Sequence, residues 1–85
     1  MLTILDFWAP WCGNCKAFAP AVEEAAKEAN VKLIKVDASK DLTACDHYGI
    51  MNLPTLVILK DDAEVGRIMG VITKKDLLDK LQSFL

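Results

Sequence analysis

Leu2-Thr3-Ile4-Leu5-Asp6-Phe7-Trp8-Ala9-Pro10-Trp11-Cys12-Gly13-Asn14-Cys15-Lys16 is the stretch on which the fold turns. Its first seven residues are apolar on both faces with one break, at Asp6. A run of that kind predicts a strand covered on both sides, as in parallel sheets. Pro10 and Gly13 then punctuate the chain. From Cys15 onward Phe18, Val22, Ala25, Ala26 and Ala29 recur at helical spacing, so strand, tight loop and helix follow one another directly. Pro20 falls inside that helix and predicts a kink, because it has no N–H to offer the carbonyl of Lys16.

Outward from this segment, Val31–Val36 predicts a second strand, parallel to the first and joined to it through the helix. Ser39–Tyr48 reads as a short helix with Leu42, Cys45 and Tyr48 at intervals of three, and Gly49 is a natural stop. Thr55–Leu59 predicts a third strand opening directly after Pro54. Asp61-Asp62-Ala63 reads as a turn, and Glu64–Met69 as a fourth strand in an antiparallel hairpin. Thr73 with Asp76 three residues on resembles a capping box. Leu77, Leu78, Leu81, Phe84 and Leu85 supply the apolar stripe of a last helix. The order is β-α-β-α-β-β-α: an α/β chain with a four-stranded mixed sheet flanked by three helices. Ligands in such folds favour the crevice at the carboxyl ends of the parallel strands, and Ala9–Cys15 occupies that place.

Composition narrows the function. The chain has 85 residues, 53% of them hydrophobic, and a net charge of -2. Surface scaling at 9.4 kDa predicts roughly 5,000 Å² exposed when folded, against roughly 13,600 Å² unfolded. That suits one core, and we expect a single domain over residues 1–85. Ten basic residues face twelve acidic ones and are scattered, which argues against nucleic acid as a partner. No apolar run approaches a membrane span of ~18 residues. The first residues carry no basic region ahead of an apolar stretch, so a chain without a secretory signal, located in the cytoplasm, is expected.

Three cysteines are too few for a disulfide scaffold. Cys12 and Cys15 stand at i and i+3 near a helix start, about 5–6 Å apart at Cβ, and a modest adjustment brings them to the ~3.8 Å a disulfide needs. The loop closed is tiny, and the chain-entropy model gives it only about 1.9 kcal/mol. The pair is therefore poorly placed as a staple and well placed to cycle. Unpaired N–H groups and the positive dipole end favour a thiolate at Cys12. Cys12 is expected to attack and Cys15 to resolve from inside. As half of a zinc site the pair lacks partners: only Cys45 and His47 remain, two apart on a helix and pointing to different sides. No metal is expected. Cys45 reads as a small core residue and His47 as solvent-facing.

The segment from Asp6 to Lys16, with Pro20 later, resembles the active-site region of the thioredoxin family. Asn52-Leu53-Pro54-Thr55 is similar to that family's cis-proline loop, and Gly70 sits where the family keeps a late glycine. The resemblance spans nearly the whole chain. The family's usual leading strand and helix have no counterpart in these residues, so a minimal thioredoxin fold, close in length to glutaredoxins and small archaeal thioredoxins, is expected. Asn14 stands where the family usually has proline. Thioredoxins are known for a cysteine pKa of about 7. At that value ~50% of the thiol is ionised, against ~3% ordinarily. Lower nucleophilicity takes back about fivefold, leaving a net gain of only about threefold.

The resemblance implies roles for further residues. Asp6 becomes a buried acid behind Cys15 that accepts its proton, with a pKa raised by desolvation. Lys35 aligns with the lysine that tunes this acid. The Leu53–Pro54 bond is expected to be cis, leaving the backbone of Leu53 free to pair with an extended substrate segment. Trp11, Gly13, Asn14, Leu53, Pro54 and Gly70 together form the expected substrate-contacting surface, with Trp11 partly exposed and Trp8 filling space beneath the loop. Asparagine at position 14 can cap the helix locally and is expected to make the pair modestly less reducing. The activity implied is reduction of protein disulfides by a monomer. The redox-active Cys12–Cys15 disulfide needs no bound cofactor and is recycled by an NADPH- or ferredoxin-linked thioredoxin reductase. A glutaredoxin-like enzyme recycled by glutathione and a thioredoxin-fold binding module or metallochaperone are the alternatives.

Overall fold

The computed structural model describes residues 1–85. Its elements are β1 (Leu2–Trp8), α1 (Gly13–Glu28), β2 (Lys32–Asp37), α2 (Leu42–Tyr48), β3 (Thr55–Lys60), β4 (Ala63–Met69) and α3 (Lys74–Ser83). The strands lie in the order β2-β1-β3-β4. β1 runs parallel to β2 and antiparallel to β3, and β3 runs antiparallel to β4. This is the expected mixed sheet with three helices. The accessible surface, 5091 Å², agrees with the scaling for a chain of this mass.

β1 lies inside the sheet, which is why its apolar run does not alternate. One face of the sheet sets Leu2, Ile4, Leu56, Ile58 and Ile68 against Phe18, Val22, Ala25 and Ala26 of α1 and Leu77 and Leu81 of α3. The opposite face sets Leu5, Phe7, Val57 and Leu59 under α2, where the rings of Phe7 and Tyr48 meet edge-on at 5.8 Å. Successive side chains of β1 thus enter two separate apolar layers. β2 is an edge strand, and Lys32, Ile34 and Lys35 are exposed.

Several boundaries differ from the sequence reading. α1 begins at Gly13, two residues before the first inward residue, because Cys12 caps it. Pro20 lies inside the helix, as read from the sequence, and the helix continues through it to Glu28. α2 is shorter than Ser39–Tyr48. The Asp37 carboxylate accepts hydrogen bonds from the Ser39 N–H at 2.9 Å and hydroxyl at 2.6 Å, which holds that segment in a turn. Asp41 then caps the helix by accepting the Ala44 N–H at 3.0 Å. Leu42 is exposed, so the stripe Leu42-Cys45-Tyr48 does not face inward as a whole. An i,i+3 row drifts about 60° per step, and the inward set is Ala44, Cys45 and Tyr48.

β4 starts at Ala63, and Lys60 pairs with Ala63. The hairpin therefore turns on Asp61 and Asp62 alone, both at positive φ (51° and 72°), the two-residue geometry that matches strand twist. Thr73 caps α3 by accepting the Asp76 N–H at 3.1 Å. α3 ends at Ser83 and Leu85 is exposed, so the last stripe stops at Phe84.

Candidate active site

The chain leaves β1 at Trp8 and turns within three residues. The Cys12 N–H donates to the Ala9 carbonyl at 3.1 Å, and the Lys16 N–H donates to the Cys12 carbonyl at 3.2 Å. Cys12 itself is extended (φ -91°, ψ 103°), as an N-cap must be. Its Sγ accepts the Cys15 N–H at 3.2 Å, so sulfur does here what an oxygen of serine or aspartate does at other helix starts. A donor and the positive helix end thus both point at Cys12, and both favour an anionic sulfur.

Cys12 and Cys15 are joined in a disulfide, with Cα atoms 5.3 Å apart. The residues are nearly equal in exposure, 8% and 5%. Their difference lies in their surroundings: Cys12 is flanked by exposed Trp11 and Gly13, whereas Cys15 begins the inward row of α1. Ala9, the half-buried Trp8 and Leu53 complete the small apolar cluster around the pair. Asn14 is exposed, and the capping contact expected of it is made by Cys12 instead.

The loop opposite comes from the start of β3. The Leu53–Pro54 peptide bond is cis. The Thr55 hydroxyl donates to the Asn52 carbonyl at 2.7 Å, and the Gly70 N–H donates to the Pro54 carbonyl at 2.9 Å. Gly70 has φ 90° with open space where a Cβ would sit, a conformation that glycine adopts without strain. Pro54 is buried, while Leu53 is half-buried. Exposed apolar side chains stand around this ground: Trp11 at 74%, Met51 at 90%, and Met69 and Val71 on either side of Gly70. Met51, Met69 and Val71 were not singled out from the sequence. The one signal for them was large apolar residues directly beside Asn52 and Gly70.

Asp6 is 4% exposed and sits on the α1 side of β1, in the same row as Leu2 and Ile4. Its neighbour across the parallel pair is Lys35, and across the antiparallel pair Leu56. Burial raises its carboxyl from an ordinary 3.8 to about 6; Lys35 opposes this and Glu23 adds to it. The Lys35 ammonium forms its ion pair with Glu23 on α1, Nζ to Oε1 3.2 Å. Glu23 had no signal in the sequence, since it reaches this place only when α1 lies over β2.

Cys45 is half-buried on α2, far in sequence from the pair. Burial, then Asp41 and Asp46, push its thiol pKa up. It is a flank of the α2 layer rather than a core residue. His47 is exposed. No group of three or more His, Cys, Asp or Glu side chains could hold a metal ion, and no helix is long and apolar enough to cross a membrane.

The thioredoxin family model matches residues 1–83. Thioredoxin 1 of Synechococcus elongatus is 39% identical over 84 residues, covering 96% of this chain and 78% of that one. The thioredoxin of Bacillus subtilis is 37% identical over 86 residues, covering 99% and 83%. Among solved structures, a mutant thioredoxin from Halobacterium salinarum superposes with a TM-score of 0.93 at 30% identity, covering 98% of this chain and 74% of that one. Fasciola hepatica thioredoxin superposes at 0.88 and 37%, covering 96% and 79%. With a cysteine pair at the head of α1, these findings define a thiol–disulfide oxidoreductase acting on protein disulfides, with a reductase as its partner. The glutathione-recycled and metal-carrying alternatives are not favoured. The chain belongs to the thioredoxin family.

Proposed function

We propose that Cys12 is the nucleophile, Cys15 the resolving thiol and Asp6 the proton acceptor of one domain spanning residues 1–85. The observation that carries this reading is the Cys12 sulfur serving as N-cap, where a helix end and a backbone donor meet it. The Cys12 thiolate attacks one sulfur of a substrate disulfide, expelling the other as a thiolate and leaving a mixed disulfide. Cys15 gives its proton to the Asp6 carboxylate. The Cys15 thiolate then attacks the Cys12 sulfur, the second substrate sulfur departs as thiolate, and the Cys12–Cys15 disulfide remains. Two electrons have passed to the substrate, and a thioredoxin reductase, NADPH- or ferredoxin-linked, returns two.

Substrate backbone lies against Leu53 as a short added strand, with Pro54 and Gly70 leaving it room. Gly13 and Asn14 border the same ground, and Trp11 offers apolar contact beside Cys12. Lys35 tunes Asp6. The protein works as a monomer in the cytoplasm, without a bound cofactor. Cys15→Ser tests the order of attack: it is expected to trap a covalent complex of Cys12 with insulin, visible on a non-reducing gel and dispersed by dithiothreitol. Trapping by Cys12→Ser in its place would reverse the two roles.

Asn14 bears on potential rather than on attack. It lies in the first turn of α1, where a backbone N–H has no partner in the helix and proline would lose nothing. A stiffer turn lowers the entropic cost of closing the disulfide and so favours the oxidised form. Asn14→Pro is expected to make the pair more reducing by about 30 mV, or about 1.4 kcal/mol, read by equilibration with glutathione. An unchanged potential would refute this role.

A further inference from the structure

Asp6 and Lys35 are partners in the parallel register of β1 and β2. Yet the ammonium of Lys35 turns to α1 and pairs with Glu23 at 3.2 Å. The next acid along the helix, Glu24, turns the other way and meets Lys74 at 3.6 Å, with Glu28 on the same lysine at 2.6 Å. The acidic flank of α1 is thus divided: Glu23 serves the sheet edge beside Asp6, and Glu24 and Glu28 serve α3. The charged groups that act on Asp6 are Lys35 from β2 and Glu23 from α1; the proposed reaction adds the Cys15 thiol as its proton donor. β3 opposes Asp6 with Leu56, and α3 contributes only Leu77 and Leu81 to this layer's buried core.

We propose that Glu23 is a positioning residue for the exchange reaction: its carboxylate holds the Lys35 ammonium against α1, leaving Asp6 without a direct counter-ion and hence a stronger base toward Cys15. The proposal rests on the reading of Asp6 as proton acceptor.

Two effects of Glu23 act with the same sign. Its negative charge disfavours a second anion at Asp6, and its hold on Lys35 withdraws the cation that would favour one. Both keep the Asp6 carboxyl high, in line with the direction each neighbour exerts on it. A carboxylate that binds its proton more tightly is the better acceptor at neutral pH, provided that it is still mostly ionised there. At about 6 it is. The Lys35–Glu23 pair is half-exposed on both sides, and pairs of that kind add little to stability. Removing the Glu23 charge therefore leaves a folded protein in which Lys35 is free to move to Asp6.

The test follows the Asp6 carboxyl carbon by NMR through a pH titration, alongside the pH profile of kcat/KM for insulin disulfides. Glu23→Gln is expected to lower the Asp6 midpoint by about one pH unit and to move the acidic limb of the rate profile down with it. The rate at neutral pH falls by about threefold if the Brønsted slope is about one half, while the loss on acidification becomes shallower. Glu23→Asp restores part of both shifts. Glu24→Gln, the same charge change one residue away, moves neither. Lys35→Met raises the midpoint, and Glu23→Gln then adds less than it does alone. An Asp6 midpoint untouched by Glu23→Gln, or moved as much by Glu24→Gln, overturns the proposal alone. A midpoint that moves while the rate profile stays put overturns the acceptor role of Asp6 and the proposal with it.

Discussion

Cys12→Ser is expected to cut insulin-disulfide reduction by about a thousandfold or more, down to the rate of dithiothreitol alone. A serine hydroxyl does not ionise near neutrality, so the proposed attacking nucleophile is lost, and Cys15, which begins the inward row of α1, is not placed to replace it. The substitution is otherwise mild. Serine is a favoured N-cap, and its oxygen can accept the Cys15 N–H that sulfur accepts now. The reduced variant is therefore expected to unfold within about 1 kcal/mol of the reduced parent. Folding and catalysis come apart in one experiment: thermal unfolding nearly unchanged, turbidity from reduced insulin gone. The assay is run with dithiothreitol, glutathione and a reductase system as alternative electron sources. Residual activity within tenfold of the parent would remove Cys12 from the reaction.

Asp6→Asn carries the second large effect, and it has two opposite signs. The folded-state pKa of Asp6 lies at about 6, above its ordinary 3.8. The folded chain thus binds this proton more tightly than the unfolded chain. Below about pH 3.8 both states are protonated and the group is neutral in the balance. Between the two values stability falls as pH rises, and above about 6 the full penalty stands, about 3 kcal/mol. The asparagine amide has no charge to desolvate. The variant is expected to be about 2–3 kcal/mol more stable than the parent at neutral pH and about equal to it at pH 3.5, read by urea unfolding at both. Disulfide reduction moves the other way. Loss of the acceptor is expected to slow turnover at neutral pH by about tenfold, less than a general base commonly contributes, since the Cys15 thiol can also lose its proton to water. A variant with no gain in stability would mean that Asp6 is not desolvated. An unchanged reduction rate would mean that it is not the acceptor.

The layered sheet was legible because its signals are local and redundant. The double-sided apolar run of β1, the helical spacing after Cys15 and the turn residues around the hairpin each specify one element. The cysteine pair was legible for a similar reason, since strand end, tight loop and helix start are contiguous. Misreadings came where a single side chain overrode a pattern. Asp37 and Asp41 moved the start of α2 past Ser39. Cys12 took the capping place expected for Asn14. Glu23 and Met51 were out of reach for a different reason: one acquires meaning only when α1 crosses β2, and the other only when the loop carrying Leu53 comes to stand against the cysteine pair. The pairing of Asp6 with Lys35 could be inferred, but the competition for that lysine could not.

The contact between the Cys12 sulfur and the Cys15 amide has one more consequence. An anionic sulfur accepts that proton more strongly than a disulfide sulfur does. That hydrogen bond is accordingly strongest when the carrier is loaded, and once it is spent the covalent link between the two cysteines holds the turn instead. Fold and chemistry share one atom there, and the backbone keeps a record of where the electrons are.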